Sequence, residues 1–438
     1  MERVGIVSPE SELNRPAAAP RVTHVRWYVV AALFSLSMLT IVDRVCISAA
    51  KLDMARDLGL SDVTFGFIFG AFALGYALFQ IPSGWLADRY GPRFYLTAIV
   101  LAWSLFTGLT GVVSAAAALI VIRFLFGVGE AGAYPAAARA IYKWLPAKET
   151  GIAQGVMFAG SRLGAAFGLA VMSWTILKIG WRSSYLLLTA IGVAWALFWY
   201  LFFRDDPGQK GGVSESEREY IRSGRQRTRQ VPGTSAPWTR LLLSRESGIL
   251  LAQYFASNFT FFLCFSWLLP YLKQQYSLTA AEAGVYSSVP LYFGALANWV
   301  SGLCVDRLFK KGFGHHSRII PAAAGFLVAA LALVAAANMT NAAGAVLCFA
   351  IATFGVDLTL SPSWTACIDI AGRHTGALSG AMNMIGNLGS FASSVTFPML
   401  VDFSGSAKSY FYLAALLDAL AVVLWWRLRQ TDFTRKEK

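Results

Sequence analysis

Four ionisable side chains stand inside otherwise apolar stretches of the first half of this sequence: Asp43 and Arg44 in IVDRVCIS, and Arg123 and Glu130 in RFLFGVGEAG. A charge held in hydrocarbon costs several kcal/mol, so such residues are retained for a purpose. The Arg44 guanidinium can hold a carboxylate through two parallel hydrogen bonds, which a lysine cannot reproduce. The alternative for Asp43 and Arg44 is a position at the water boundary, with the side chains reaching out of the apolar zone. Arg123 and Glu130 are about two helical turns apart and share a helix face. Burial disfavours the ionised Glu130 and a nearby guanidinium favours it. A carboxylate balanced in that way can take a proton on one side of a barrier and release it on the other. A static buried pair that fixes helix packing is the competing reading.

Neutral polar groups recur at helical spacing. Tyr76 and Gln80 are one turn apart, as are Asn383 and Asn387, the latter pair set among Ser379, Gly380, Gly386 and Gly389. Amides on one face can bind the hydroxyls of a polyol acid. Asn258, Ser361, Ser363 and Trp364 are further polar candidates. Arg162, in AGSRLGAAFG, could pair with Glu130, line a cavity or reach toward an interface. Asp357 and Asp418 are expected to face water or to pair locally. Nothing points to catalysis or to a cofactor. There is no G-x-x-x-x-G-K-[ST] loop for a nucleotide. Cys46, Cys264, Cys304, Cys348 and Cys367 lack metal-ligand spacing and read as packing residues.

These residues need elements to position them, and composition says which. Hydrophobic residues make up 56% of the 438, charged residues 14%, and the mean hydropathy is +0.53. A soluble domain carries roughly 25% charged residues, so this chain cannot cover itself with a water-facing surface. Apolar runs of roughly 20 residues, each enough to cross the hydrocarbon, recur at about 27–50, 63–86, 92–113, 115–140, 150–176, 183–203, 247–271, 283–304, 318–338, 341–364, 375–400 and 409–428. The net charge of +13 does not indicate nucleic acid, because the basic residues sit in short loops between these runs. With the N-terminus inside, only Lys51, Arg56, Lys178, Arg182, Lys273 and Lys408 fall in outer loops, which predicts cytoplasmic termini.

The expected organisation is a disordered cytoplasmic N-terminus (1–26), a six-helix bundle (27–203), a cytoplasmic linker (204–245), a second six-helix bundle (246–428) and a cytoplasmic tail (429–438). A repeat supports the division. GWLADRYGPR, with Asp88, follows the second run, and SGLCVDRLFKK, with Asp306, follows the eighth. Two such halves are the mark of a carrier in which one bundle rocks against the other.

GWLADRYGPR resembles the loop motif of the major facilitator superfamily. Within it, DRVCIS, RFLFGVGEAGAYPAAARAIYKWLP, RDDPGQKGGVSESEREYI and GALSGAMNMIGNLGSFASS are similar to the anion:cation symporter group, which includes hexuronate, galactonate and glucarate permeases. The resemblance implies an all-α membrane protein of twelve helices in a bacterial inner membrane, monomeric and without a cofactor. It would carry a small organic anion, foremost a sugar acid, together with a proton. Its partners would be that anion, the proton and the bilayer. By the same resemblance Glu130 couples the proton with Arg123 as its charge partner, and Asp43 can also take one. Arg44, Tyr76 and Asn387 would meet the substrate by that likeness; Gln80, Asn383, Ser361 and Trp364 join them as candidates by residue type alone. Asp88, Arg89 and Arg93, with Asp306 and Arg307, would form the gate. Ile41 departs from the aromatic common two residues before the first-span Asp in sugar-acid permeases, which leaves room for an aromatic or other carboxylate. A drug/proton antiporter would want an anionic cavity in place of Arg44 and Arg123. A non-transporting sensor would bind without moving its ligand.

Overall fold

The structure is a computed structural model that describes residues 23–224, 241–263 and 267–428. Residues 1–22, the linker stretch 225–240, Cys264 and the tail from 429 lie outside the described residues.

The chain is a succession of helices. The first set comprises α1 (Val25–Leu58), α2 (Asp62–Tyr90), α3 (Pro92–Val112), α4 (Ala116–Glu130), α5 (Ala133–Trp144) and α6 (Thr150–Phe202). A short helix, α7 (Glu215–Gly224), follows in the linker. The second set comprises α8 (Arg245–Phe262), α9 (Leu268–Gln275), α10 (Ala280–Leu308), α11 (His316–Ala336), α12 (Ala342–Leu358), α13 (Leu360–Ala371), α14 (Thr375–Ser404) and α15 (Lys408–Arg427). Nine stretches among the described residues are long and apolar enough to cross a membrane. Their outer faces carry Phe67, Leu78, Trp174, Leu201, Trp299 and Phe403, a surface that hydrocarbon solvates.

Local sequence decides where helices stop. The 53 residues of α6 are two helices meeting at Gly180, whose φ of 77° an L side chain rarely adopts. Gly91, at φ 81°, turns α2 into α3, and Pro92 opens the new helix. Pro135 lacks an N–H for the Ala131 carbonyl, and the fourth span, expected as one run over 115–140, is interrupted between α4 and α5. Pro362 does the same to the Leu358 carbonyl, between α12 and α13.

In the first set α1 packs along α6, α2 along α4, and α3 along α6; in the second, α8 packs on α14 and α11 on α12 and α15. Two long crossings join the sets, α2 with α14 and α6 with α10. Glycine lets the backbones touch there. A Cβ on Gly84 would run into the Gly376 carbonyl, one on Gly380 into the Gln80 carbonyl, and one on Gly155 into the Asn298 carbonyl. The core has an uneven shape. At the end that carries Asp88 and Asp306 it is continuous, with Ala87, Tyr95, Trp144 and Met157 packed in one cluster with Ile319, Trp364, Cys367 and Leu378. At the other end it divides. One cluster holds Cys46, Met54, Phe65, Trp181 and neighbours, and the other holds Phe259, Leu272, Phe349, Phe411 and neighbours.

The linker helix is clamped to the first set. α1 begins at His24 with no capping side chain of its own. Glu217, from α7, accepts from the Val25 and Arg26 backbone N–H groups (both 3.1 Å) and from the Thr23 hydroxyl (2.6 Å). The Arg26 guanidinium joins Glu217 (3.0 Å) to Glu149 (2.7 Å), and the Tyr220 hydroxyl donates to Glu149 (2.6 Å). Burial alone would raise the Glu217 carboxyl, but the Thr23, Val25 and Arg26 donors outweigh it and hold the group below its ordinary value of 4.5. A lowered folded value means stability that is present above 4.5 and lost as pH falls through the folded value. Glu217→Gln should therefore lower the apparent Tm of the purified protein at pH 7, with a loss on the order of 3 kcal/mol for a broken buried pair. The gap between variant and wild type should narrow as pH drops below 4.5; a gap independent of pH would contradict this account.

Candidate functional site

Two layers of polar residues lie where the sets of helices meet. The first is at the closed end. α14 and α6 each begin without a capping side chain or an acidic residue in the first turn. Asp88 reaches across to α14 and accepts from the Gly376 and Ala377 N–H groups at 3.0 and 2.9 Å. Asp306 reaches across to α6 and accepts from Gly151 and Ile152, both at 2.9 Å. Each carboxylate thus sits on the positive end of a helix belonging to the other set. Arg139 contacts Asp88 at 3.4 Å and donates to the Gly372 carbonyl. Arg318 pairs with Asp369 at 2.9 Å and reaches the Ala147 carbonyl.

The second layer lies nearer the middle of the helices. Glu130, fully buried at the end of α4, pairs with Arg44 of α1 at 2.8 Å. The Arg44 guanidinium also lies over the Tyr76 ring at 4.4 Å. The Tyr76 hydroxyl accepts from the Asn383 amide at 3.0 Å, which ties α2 to α14. Asn387 donates to the Asn383 carbonyl at 2.7 Å. Arg162 of α6 grips Asp357 of α12 through two bonds, at 2.7 and 2.5 Å, and its guanidinium lies 3.8 Å above the Phe261 ring. Beneath these groups Trp364 packs on Phe158 and Tyr134 and donates to the Tyr254 hydroxyl at 3.0 Å.

Several expectations are redirected. The ion-pair partner of Glu130 is Arg44, not Arg123. Seven residues along a helix is a rise of roughly 10 Å, so a shared face does not bring Arg123 and Glu130 into contact. Arg123 lies instead against Phe126 and Phe72. Asp43 is buried beside this layer with one carboxylate oxygen lacking a partner. Asp357 neither faces water nor pairs locally, because its partner lies on the other set of helices. Asp418 accepts from Thr260 at 3.0 Å inside the second set. Gln80 is buried at the α2–α14 crossing with both amide atoms unpaired. Ser361 belongs to the closed end, where its hydroxyl donates to the Gly151 carbonyl at 2.7 Å. Arg89 is exposed and stacks on Trp85, Arg93 donates to the Tyr200 carbonyl inside the first set, and Arg307 is exposed. Sequence reasoning passed over Arg139, Arg318 and Tyr134. Among 37 lysines and arginines, residue type alone does not separate these two from the rest.

Residues 33–394 match the Major Facilitator Superfamily. The chain is 31% identical to the "Probable sulfoacetate transporter SauU" of Cupriavidus necator, over 90% of this chain and 91% of that one. It is 29% identical to the "Probable galactarate/D-glucarate transporter GudP" of Escherichia coli K12, over 94% and 96%. Among solved structures it superposes on FucP in the outward conformation with a TM-score of 0.73, covering 93% of this chain and 100% of that one, at 15% identity.

The trans-capping carboxylates make a prediction. Asp88→Asn and Asp306→Asn should each loosen the closed end, since a charge-assisted bond is worth about 1.5–3 kcal/mol. In a cysteine-free background, a cysteine replacing buried Ser379 should react with a water-soluble maleimide about tenfold to a hundredfold faster in either variant. Unchanged rates would mean that the caps do not hold this end shut.

Proposed function

The chain belongs to the Major Facilitator Superfamily, and from that premise we propose that it takes up a small organic anion together with a proton by alternating access. It is a multi-pass membrane transporter and not an enzyme. The observation that carries the proposal is the central ion pair, in which Glu130 is fully buried while the Arg44 guanidinium paired with it keeps 23% side-chain exposure. The core, continuous at the end of Asp88 and Asp306 and split into two clusters at the other, supports access from the divided end.

Twelve spans follow if α6 counts as two, α4 with α5 as one, α8 with α9 as one, and α12 with α13 as one. The expected division at 204–245 then leaves six in each bundle. The closed end carries Lys143, Lys148, Arg204, Lys310 and Lys311, so the positive-inside rule makes it cytoplasmic. This conformation therefore faces outward, in a bacterial inner membrane.

In the resting site Glu130 neutralises Arg44. A proton arriving on Glu130 converts the carboxylate to a carboxylic acid and removes that partner. Arg44 is then left half-buried and uncompensated, a state that an incoming carboxylate relieves. Proton and anion thus stabilise the same state, which is the requirement for coupling. Asp43, with an unpaired oxygen beside this layer, is a second place for a proton. Tyr76, Asn383 and Asn387 offer hydroxyl and amide partners suited to a sugar acid. For the site to open inward, the bonds at Asp88 and Asp306 must break and the outer ends must close. The relative named for galactarate and D-glucarate supports a sugar acid. The relative named for sulfoacetate favours a shorter organic acid as the second reading.

Glu130→Gln reconstituted in liposomes should lose accumulation driven by an inward proton gradient while keeping part of its substrate exchange. If the variant still concentrates substrate under that gradient, Glu130 is not the coupling group.

A further inference from the structure

The second guanidinium of the central layer is not used by the mechanism above. Arg162 and Asp357 nevertheless repeat the arrangement of Arg44 and Glu130 in detail. Glu130 is the last residue of α4, where a proline five residues on breaks the helix; Asp357 is the penultimate residue of α12, and a proline again stands five residues on. Both acids lie at helix C-termini, where the backbone dipole opposes a negative charge. Each is compensated by one guanidinium, Arg44 from α1 or Arg162 from α6. Both carboxylates are sealed, with side-chain exposures of 0% and 2%, while the arginines keep 23% and 15%. The accessible charge of the layer is therefore cationic at two points. The helices that carry them pack side by side, with Gly164 of α6 against Met38 and Ile41 of α1 and Gly168 against Val42 and Val45, so the two arginines stand on adjoining stretches of packed helices. Arg44 also has a buried amino group, Nη2, without a partner.

We propose that Arg162 is a second anion contact, so that the site selects doubly anionic substrates. Arg44 holds one acid group and Arg162 the other, and Asp357 is the resident counter-ion that the second acid group displaces. The proposal rests on the transport reading and deepens it. It also adds a consequence. Arg162 is on the first set of helices and Asp357 on the second, so a substrate that takes over the guanidinium undoes an ion pair holding the sets together. Dianion binding would thus release one of the ties that inward opening must break.

The test uses full-length purified protein and two matched pairs of probes, D-glucarate with D-gluconate and succinate with butyrate. Affinities come from ligand-dependent thermal shifts at pH 7. In wild type the dianion of at least one pair should bind about tenfold or more tighter than its monoanion partner. Arg162→Gln should collapse that ratio toward unity while leaving monoanion affinity within about twofold. Asp357→Asn, which removes the competitor and keeps the side-chain shape, should tighten dianion binding. A purely structural bolt would give no such gain. The doubly neutral Arg162→Gln/Asp357→Asn protein keeps the pair uncharged should the single variant fail to fold, and it should also lose the preference. If wild type shows no dianion preference, or Arg162→Gln weakens both members of a pair equally, the inference is overturned and the transport reading stands. If no probe binds wild type, or Arg44→Gln leaves monoanion binding intact, the transport reading itself fails.

Discussion

A helix that begins beneath packed side chains leaves backbone N–H groups that must find acceptors, and while that packing holds water cannot supply them. α1, α6 and α14 all begin without a capping side chain of their own. Each is completed by a carboxylate from a distant part of the chain: Glu217 for α1, Asp306 for α6 and Asp88 for α14. The arrangement turns a local deficiency into tertiary structure. Glu217 fastens the linker helix to the first set. Asp88 and Asp306 fasten the two sets to each other, by equivalent bonds on opposite sides of the interface. These contacts are made at helix ends by rigid groups, so they can form or break as units when one set tilts against the other.

The central layer obeys a related constraint. An ionised side chain in a low-dielectric interior needs a partner at hydrogen-bonding distance. Prolines at 135 and 362 break their helices and leave Glu130 and Asp357 at the resulting ends. A carboxylate there is doubly exposed to cost, through desolvation and through the helix dipole. A guanidinium meets both demands, and its fork also fits an acid group arriving from solution. The acid that neutralises the arginine in the empty site and the acid that the arginine binds are chemically alike, so the empty and loaded sites can both be electrically balanced.

Much of the fold was legible because membrane spans are written in composition, and the Asp88 and Asp306 motifs repeat at matching places. The break at Gly180 falls between two of the expected spans, whereas those at Pro135 and Pro362 fall inside expected spans, and Pro82, Pro290, Pro321 and Pro398 lie within unbroken helices, so proline alone did not mark the breaks. Which charge meets which was less accessible. Helical periodicity gives faces, and it placed Arg123 and Glu130 on one side, but the rise per residue keeps them apart and leaves Glu130 to Arg44. The pair of Arg162 with Asp357 joins residues 195 apart in sequence, and no local pattern announces it. A trace does exist: GEAGAYP and VDLTLSP both place an acid five residues before a proline. Ser361 and Trp364 were placed at the site by type, yet close approach at Gly151 and an aromatic cluster around Tyr134 and Tyr254 absorb their polar atoms.

The two layers must be balanced against each other for the molecule to move. Moving a two-state equilibrium from 1:99 to 99:1 takes about 5.5 kcal/mol of differential binding. Four backbone bonds to the Asp88 and Asp306 carboxylates would exceed this if their whole strength were lost on opening. It is not lost, because these groups lie at the end of the helices, where opening admits water to replace the N–H donors. Only the difference between protein and water partners opposes the transition. The ties near the middle have no such replacement, since Tyr76–Asn383 and Arg162–Asp357 lie deeper between the helices. A substrate bound there supplies a charged partner when they part, which water matches less well for a guanidinium and a carboxylate held between helices. Chemistry at the centre can therefore govern a gate at the end, because a ligand eases the breaking of the inner contacts more than solvent does, while solvent suffices for the outer ones.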